Sequence, residues 1–308
     1  MQESPHGLRH SCARPLVSYV LITRNRKDEV LRCLASIVKQ DYTPSEIVLV
    51  DNHSQDNTLE AVRTQYPRVR VIALDYNAGV AGGRNVGMEA ARGDLIVCVD
   101  DDAILTTSEA IRRVVDVFRN NESVGIVALR IMDGECAHPQ KSAIPTANKH
   151  EPENLDEVCY YCGAGHAIRR EMLAQIGLYP ERYFRGAQEL ALSYKALDAG
   201  WRIVYLREME VQHNETPTAR ARGQRTYFYT RSRLWLPLQF LPWRYALPHC
   251  SLWMANMAVE ALRRAELAYF ILGLRDMMRG LPAVLEDRQV VSKRTIQILQ
   301  RCSGRIWR

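Results

Sequence analysis

Residues 95–102 read LIVCVDDD, an apolar run followed at once by three aspartates, Asp100, Asp101 and Asp102. A short unbroken apolar run is the pattern of a strand buried on both faces, the kind found in parallel sheets covered by helices. Three carboxylates crowded at the end of such a strand repel one another unless a cation or hydrogen-bond donors neutralise them. A bound Mg²⁺ or Mn²⁺ would do so, since these hard ions take carboxylate oxygens together with substrate phosphates. The competing reading is a solvated acidic turn that caps the following helix.

The sequence on either side repeats the same grammar. Upstream, LVSYVLI (16–22) precedes a helix-like KDEVLRCLASIV (27–38), EIVLVD (46–51) precedes NTLEAVRTQY (57–66), and VRVIAL (69–74) precedes a helical stretch through Ala91. Downstream come a helix near 108–119 and the run VGIVALRI (124–131). This alternation predicts an α/β fold, a mostly parallel sheet flanked by helices. Such sheets bind ligands beyond the carboxyl ends of their strands. Here those ends carry Thr23-Arg24-Asn25, Asp51-Asn52, Asn77 and the aspartate triplet. Residues 133–157, rich in Pro, Lys, Glu and Asn, read as a loop over one face, long enough to form a mobile lid. YYCGAGHAIRR (160–170) reads as a strand, ELALSYKALDAG (189–200) as a helix stopped by Gly200, and WRIVYL (201–206) as a further strand. From about Gln224 the pattern is helical, with Pro237, Pro242 and Pro248 breaking its first part.

The chain has 308 residues, room for one large domain or two smaller ones at roughly 150 residues each. With 47% hydrophobic and 25% charged residues it is of ordinary globular composition, which excludes disordered, collagen-like and coiled-coil classes. The net charge of +6 is unevenly spread: residues 1–218 hold 25 basic and 30 acidic side chains, residues 219–308 hold 16 and 5. We therefore divide the chain into a tail (1–15), an α/β domain (16–218) and a basic, aromatic-rich helical C-terminal extension (219–308). In the extension Arg220, Arg222, Arg225, Arg231 and Arg233 interleave with Tyr227, Phe228, Tyr229 and Trp235. This suits either a solvated basic face or an acceptor or membrane-surface role; no nucleic-acid motif accompanies it, and none is expected as a partner.

The N-terminus has no apolar segment of a secretory signal, and the longest uncharged stretch of the extension, Tyr245 to Val259, is shorter than the roughly 18 residues of a membrane span. The expectation is a cytoplasmic protein able to work at the inner face of the membrane. Eight cysteines, several in apolar runs, read as buried thiols of a reducing compartment. Cys159-x-x-Cys162 with Cys136 and His138 is a weak zinc pattern, because no second Cys pair matches it.

Asn77 to Gly87 reads NAGVAGGRNVG, a glycine-rich strand-to-helix turn. The glycines do not give G-x-G-x-x-G, and Met88-Glu89 stand where a P-loop needs Lys-Ser/Thr. Close helix–sheet contact is the more common reason for such glycines, although a helix N-terminus also welcomes negative charge.

In this order, EIVLVDNHSQDNT (46–58), NAGVAGGRNVGMEAARGDLIVCVDDD (77–102) and GAGHAIRREMLAQIGLYPERYF (163–184) resemble the family 2 glycosyltransferases of the GT-A fold, particularly rhamnosyltransferase-like bacterial members. The resemblance runs from about Leu16 to His213. It implies that Asp51 and the first strand-end loop hold the nucleotide base, that Asp100 and Asp102 form the D-x-D pair for metal and sugar-nucleotide, and that Thr23, Asn25, Asn77, Gly79 and Arg84 line the donor cleft. His213 falls where family members often carry a histidine that contacts metal or diphosphate. Glu189 matches the catalytic-base carboxylate, while Gln188 and Ala191 replace acids common in the family, which leaves room for altered acceptor choice or reduced activity.

The resemblance thus implies an inverting hexosyltransferase that uses Mg²⁺ or Mn²⁺, takes a nucleotide-diphosphate sugar, and serves a glycan or lipid-linked acceptor in cell wall or polysaccharide biosynthesis, with peripheral membrane association. Two other classes fit an alternating sheet with a strand-end site: a catalytically silent sugar-nucleotide or glycan-binding relative, and a dinucleotide-dependent oxidoreductase, against which the missing G-x-G-x-x-G argues.

Overall fold

The computed structural model describes residues 14–134, 138–214 and 222–302. The first half winds as read: β1 (Val17–Thr23), α1 (Lys27–Ile37), β2 (Ser45–Asp51), α2 (Thr58–Gln65), β3 (Arg70–Ala73), α3 (Gly79–Ala90) and β4 (Leu95–Val99). β1 lies between β2 and β4, parallel to both. After β5 (Ala103–Leu105), α4 (Ala110–Asn120) and β6 (Val124–Asp133) come β7 (Gly165–Arg169), α5 (Arg170–Ile176), α6 (Gln188–Asp198) and β8 (Arg202–His213). The eight strands form one sheet in the order β3-β2-β1-β4-β7-β6-β8-β5.

The sheet is mixed, because β7 runs antiparallel to both its neighbours and β5 runs antiparallel to β8. The short β5 was not legible in the sequence, and the strand expected over 160–170 is confined to its second half. β8 runs seven residues beyond the expected end, to His213.

Alternation along the strands builds a core on each face. Tyr19 and Leu21 of β1 join Leu49, Val97 and the Ile111, Val114 and Phe118 stripe of α4 on one side, while Val20 joins Val48, Ile96 and Cys98 on the other. On that second face α3 lies very close to the sheet. A Cβ at Gly87 would sit 2.5 Å from Val20 Cγ1, so the glycine pattern there serves contact.

The C-terminal residues form α7 (Gln224–Phe240), α8 (Trp243–Arg263), α9 (Leu267–Glu286) and α10 (Lys293–Arg301). Pro242 separates α7 from α8, as expected. Pro237 and Pro248, by contrast, lie inside helices. Leu234, Trp235, Leu236 and Phe240 of α7 join the same core as β4 and α6. Burial of this stripe outweighs the hydrogen bond lost at Pro237. Two arginines of α7 are turned to internal use. The Arg231 guanidinium lies 4.8 Å from the centre of the Trp235 ring and donates to Tyr183 O at 2.7 Å, and Arg233 lies 4.4 Å from Tyr229 and 4.5 Å from Trp253. Arg222 and Arg225 stay exposed; Arg220 lies outside the described residues.

The segment expected as a lid is fastened to the sheet. Glu151 accepts from Arg130 Nε at 2.6 Å and Tyr205 Oη at 2.9 Å, Leu155 N donates to Tyr205 O at 2.7 Å, and Ala143 and Ile144 are buried.

Candidate active site

The strand order reverses beside β1, where β2 leaves on one side and β4 on the other, so the carboxyl ends of β1 and β4 flank a crevice. Thr23 at the end of β1 and the aspartates at the end of β4 meet there, with Thr23 Oγ1 donating to Asp101 Oδ2 at 2.8 Å. Arg26, in the turn before α1, donates to Asp101 Oδ1 at 2.7 Å and to Asp102 Oδ2 at 2.8 Å. A cleft of about 420 Å³ opens above them and is lined by Thr23, Asn25, Asn77, Gly79, Asp100 and His213, among others.

His213 is 111 positions from Asp102 and reaches it through strand pairing. β5 leaves the triplet and pairs with β8 so that Ala103 is opposite His213, and Asn214 N donates to Asp102 O at 3.0 Å. His213 Nε2 comes 3.2 Å from Asp102 Oδ1. Its Nδ1 lies 3.1 Å from Gln140 Oε1, a contact in which Nδ1 donates and which turns Nε2 toward the aspartates. Ligand atoms of Asp100, Asp102 and His213 all lie within 4.8 Å of one another. Two carboxylate oxygens and an imidazole nitrogen are a donor set for a divalent ion, and the buried Asp102 Oδ1 faces His213 Nε2 and, among the described residues, accepts no hydrogen bond from any other group.

Arg84, on α3, joins this group to the predicted base. Its buried guanidinium donates to Asp100 Oδ1 at 2.6 Å, to Gly163 O at 2.7 Å and to Glu189 Oε1 at 2.9 Å. Glu189 is the second residue of α6, and Gln188 Nε2 also donates to its Oε1, at 2.8 Å. The glycine at 163 leaves room for this pair, since a Cβ there would lie 2.4 Å from Glu189 Oε1 and push it aside. Four carboxylates, Asp100, Asp101, Asp102 and Glu189, therefore share two guanidinium groups, Arg26 and Arg84. The cluster is two positive charges short when all four are ionised. Burial and the charges of Asp102 and Asp100 push the Asp101 carboxyl up to about 7 despite Arg26. Burial also opposes the charge of Asp100, but Arg84, His213 and Arg26 more than offset it and hold Asp100 below the usual carboxylate range.

The remaining predicted residues are placed unevenly. Asp51 ends β2, is buried, and accepts from Ser54 Oγ and from Ser54 N; Asn52, its neighbour, lines the cleft in its place. Arg84 and Glu189 are not among the residues that line this cleft; the Arg84 side chain is buried, while that of Glu189 keeps 16% of its surface exposed. Ala191 is wholly buried in the core, so a carboxylate at that position would need a buried partner. The N-terminus of α3 is not open to an anion: Val80 N and Ala81 N donate to Phe184 O at 2.7 and 3.2 Å. Phe184 itself has φ of 56° and stacks on Phe228 of α7 at 5.2 Å, which brings α7 to the mouth of the cleft. Among the described residues neither Cys159 nor Cys162 belongs to a metal-ligating group, and Cys136 lies outside them.

Sequence reading missed Arg26, Gln140 and Phe184, and named Phe228 only among the aromatic residues of the extension, not at the cleft. Arg26 alone had a signal, its place just after a strand end.

The sequence pattern of glycosyl transferase family 2 matches residues 18–177, just over half of the chain. O-antigen chain rhamnosyltransferase WbaN of Salmonella anatum is 27% identical over 204 residues, 62% of this chain and 63% of that protein, so the chain spans less than two thirds of that relative. Among solved structures, mannosyltransferase PcManGT of Pyrobaculum calidifontis, in complex with GDP-Man and Mn²⁺, superposes with a TM-score of 0.58 at 18% identity over 87% of this chain and 88% of that one. S. aureus TarS 1–349 in complex with UDP-GlcNAc gives 0.62 at 19% identity over 94% and 92%. At these identities the likeness is one of fold, and the fold is the GT-A type expected from the sequence. With that fold, a D-x-D pair at its switch point and the family pattern across its first half, the chain belongs to glycosyl transferase family 2.

Proposed function

We propose that the protein is an inverting, metal-dependent glycosyltransferase that moves a hexosyl group from a nucleotide-diphosphate sugar to a glycan or lipid-linked acceptor of polysaccharide biosynthesis, at the cytoplasmic face of a membrane. The observation that carries this reading is the convergence of Asp100, Asp102 and His213 on one cleft, two positive charges short, with Glu189 tied to Asp100 through Arg84. Asp100, Asp102 and His213 would hold Mg²⁺ or Mn²⁺, which supplies Lewis-acid stabilisation of the departing diphosphate. Thr23, Asn25 and Asn77 would form the nucleotide side of the cleft, with Asp51 beneath them holding Ser54, and Arg84 fixes Asp100 from behind.

Glu189 takes the proton of the acceptor hydroxyl as its oxygen attacks the anomeric carbon. The bond from that carbon to the diphosphate oxygen breaks on the opposite face and its electron pair leaves with the nucleotide diphosphate. A single displacement of this kind inverts the configuration.

The Glu189→Gln protein tests the assignment. Transfer should fall by roughly 10²–10⁴-fold with donor affinity nearly unchanged. Wild-type transfer by the variant would place the base elsewhere. A silent relative draws support from one observation, that Arg84 and Gln188 both donate to Glu189 Oε1 and so occupy one of the two oxygens a base would use. Donor binding by the wild-type protein with transfer to no acceptor would establish that reading instead. The oxidoreductase alternative is set aside with the family membership.

A further inference from the structure

α7 is covered by α8 and α9, and these two helices divide cleanly by face. Gly273, Met277, Gly280 and Val284 of α9 follow one another at spacings of four, three and four residues and turn inward: Trp235 Nε1 donates to Met277 O at 2.9 Å, and a Cβ at Gly280 would lie 2.4 Å from the Trp235 ring. The opposite face of α9 carries Leu267, Ile271 and Met278, the last two 55% and 58% exposed. α8 adds Leu247, Val259 and Leu262, at 57%, 46% and 64%. No charged residue interrupts the sequence from Tyr245 to Val259. Large side chains exposed side by side on two neighbouring helices form a patch, not the scattered apolar exposure of an ordinary surface.

Residues 243–286 hold five arginines and four acids, and beside the exposed apolar side chains four of the arginines, Arg263, Arg264, Arg275 and Arg279, stand against two acids, Glu260 and Asp276. Glu260 is taken by Arg263 and Arg264, and Asp276 by Arg275, Arg279 and Tyr227 Oη. The surplus is positive, with Arg263 and Arg279 72% and 69% exposed. A second copy laid on the same patch would set arginine against arginine; an anionic lipid surface would answer both the charge and the apolar side chains. The patch also leads to the cleft. The start of α9 is tied to the first turn of α7 through Glu266 with Thr226 and Tyr269 against Gly223, and Gln224 and Phe228 of that helix line the cleft.

We infer that the outer face of α8 and α9 docks on an anionic phospholipid bilayer and brings the cleft mouth to the lipid surface, where a lipid-linked acceptor is presented. This deepens the acceptor class of the function proposed above and rests on it for its purpose, but vesicle binding is read without donor or acceptor. It also moves the membrane contact from the arginines of α7, two of which are engaged inside the protein, to the helices outside them. Among the described residues no helix is long and apolar enough to cross a membrane, so the contact is one of surface docking.

The test is co-sedimentation of the full chain with vesicles of phosphatidylcholine, with and without phosphatidylglycerol. The wild-type protein should bind the mixed vesicles, less so as salt is raised. The combined variant Leu262→Glu, Ile271→Glu and Met278→Glu, all on exposed positions, should bind about tenfold or more weakly while its circular dichroism and donor-induced thermal shift stay those of wild type. Glu189→Gln should bind vesicles like wild type, which separates failure of docking from failure of the catalytic reading. The inference is overturned if wild type does not bind phosphatidylglycerol vesicles, or if the triple variant binds them equally well. It is also overturned if wild type is a dimer that the triple variant breaks without any vesicle binding.

Discussion

Replacing Arg84 by lysine keeps the charge and removes the fork. The guanidinium is 3% exposed and spreads its donors over two nitrogens, one serving Glu189, the other shared by Asp100 and Gly163 O. An ammonium is a point charge on a flexible stem and cannot meet acceptors on both sides at once. Losing two of the three hydrogen bonds would cost about 1.5–3 kcal/mol for each one to a charged group. Part of this returns, because the charge remains and the Asp100 side chain is 31% exposed and can take up water. We expect a net loss of about 2–3 kcal/mol for Arg84→Lys, and about 3–5 kcal/mol for Arg84→Met, which leaves both carboxylates without their counter-charge. Urea unfolding followed by tryptophan fluorescence reads these values, as a lowered midpoint at unchanged slope. Donor affinity should fall as well, because Asp100 loses the partner that orients it. An Arg84→Lys protein with wild-type midpoint, donor affinity and transfer would refute the reasoning that this one side chain couples metal ligand and base.

Two further outcomes can be measured directly. Mn²⁺ should raise the melting temperature of the wild-type protein and leave that of Asp102→Asn unmoved, with EDTA abolishing transfer by the wild type; unchanged turnover in EDTA would contradict the assigned ligands. Asp198, at the end of α6, accepts from Ser292 N and Thr295 Oγ1, both at 2.7 Å, and so fastens the start of α10. Burial opposes its charge, but these donors outweigh burial and lower its pKa. The stabilisation is therefore present above the unfolded-state value near 4 and lost as pH falls through the lower folded value, so acid unfolding monitored by circular dichroism should be less steep below pH ~4 in Asp198→Asn.

How much of this was legible in the sequence depends on the range over which each signal acts. The strands up to β4 were readable because each is a run of apolar residues ended by a polar group, a property of adjacent positions. Thr23 and the Asp100–Asp102 triplet were readable for the same reason, as polar residues stranded at apolar ends. β5 is three residues long and carries no such contrast, and without it nothing in the sequence places His213 beside Asp102; only the family resemblance nominated it. Gln140 had no signal at all, because its role exists only once the segment after β6 is fastened to the sheet and meets the end of β8.

The helical character of the C-terminal extension was legible, but the use of its arginines was not. A solvated basic face describes Arg222 and Arg225; Arg231 and Arg233 behave otherwise, because the weakly hydrated planar face of a guanidinium can lie on aromatic rings while its edge donates to carbonyls. Arg231 does both at once, stacked on Trp235 and bonded to Tyr183 O. Ser232 Oγ also holds the same loop, donating to Arg185 O at 3.0 Å, and the loop carries Phe184 and Ala187 at φ of 56° and 67° immediately before Glu189. Backbone in that region costs on the order of 1–3 kcal/mol per residue and persists only where its surroundings impose it. The surroundings here are α7. Residues 224–240, the first helix of the basic, aromatic-rich extension, thus form one wall of the core and hold the turn from which the predicted base enters its helix.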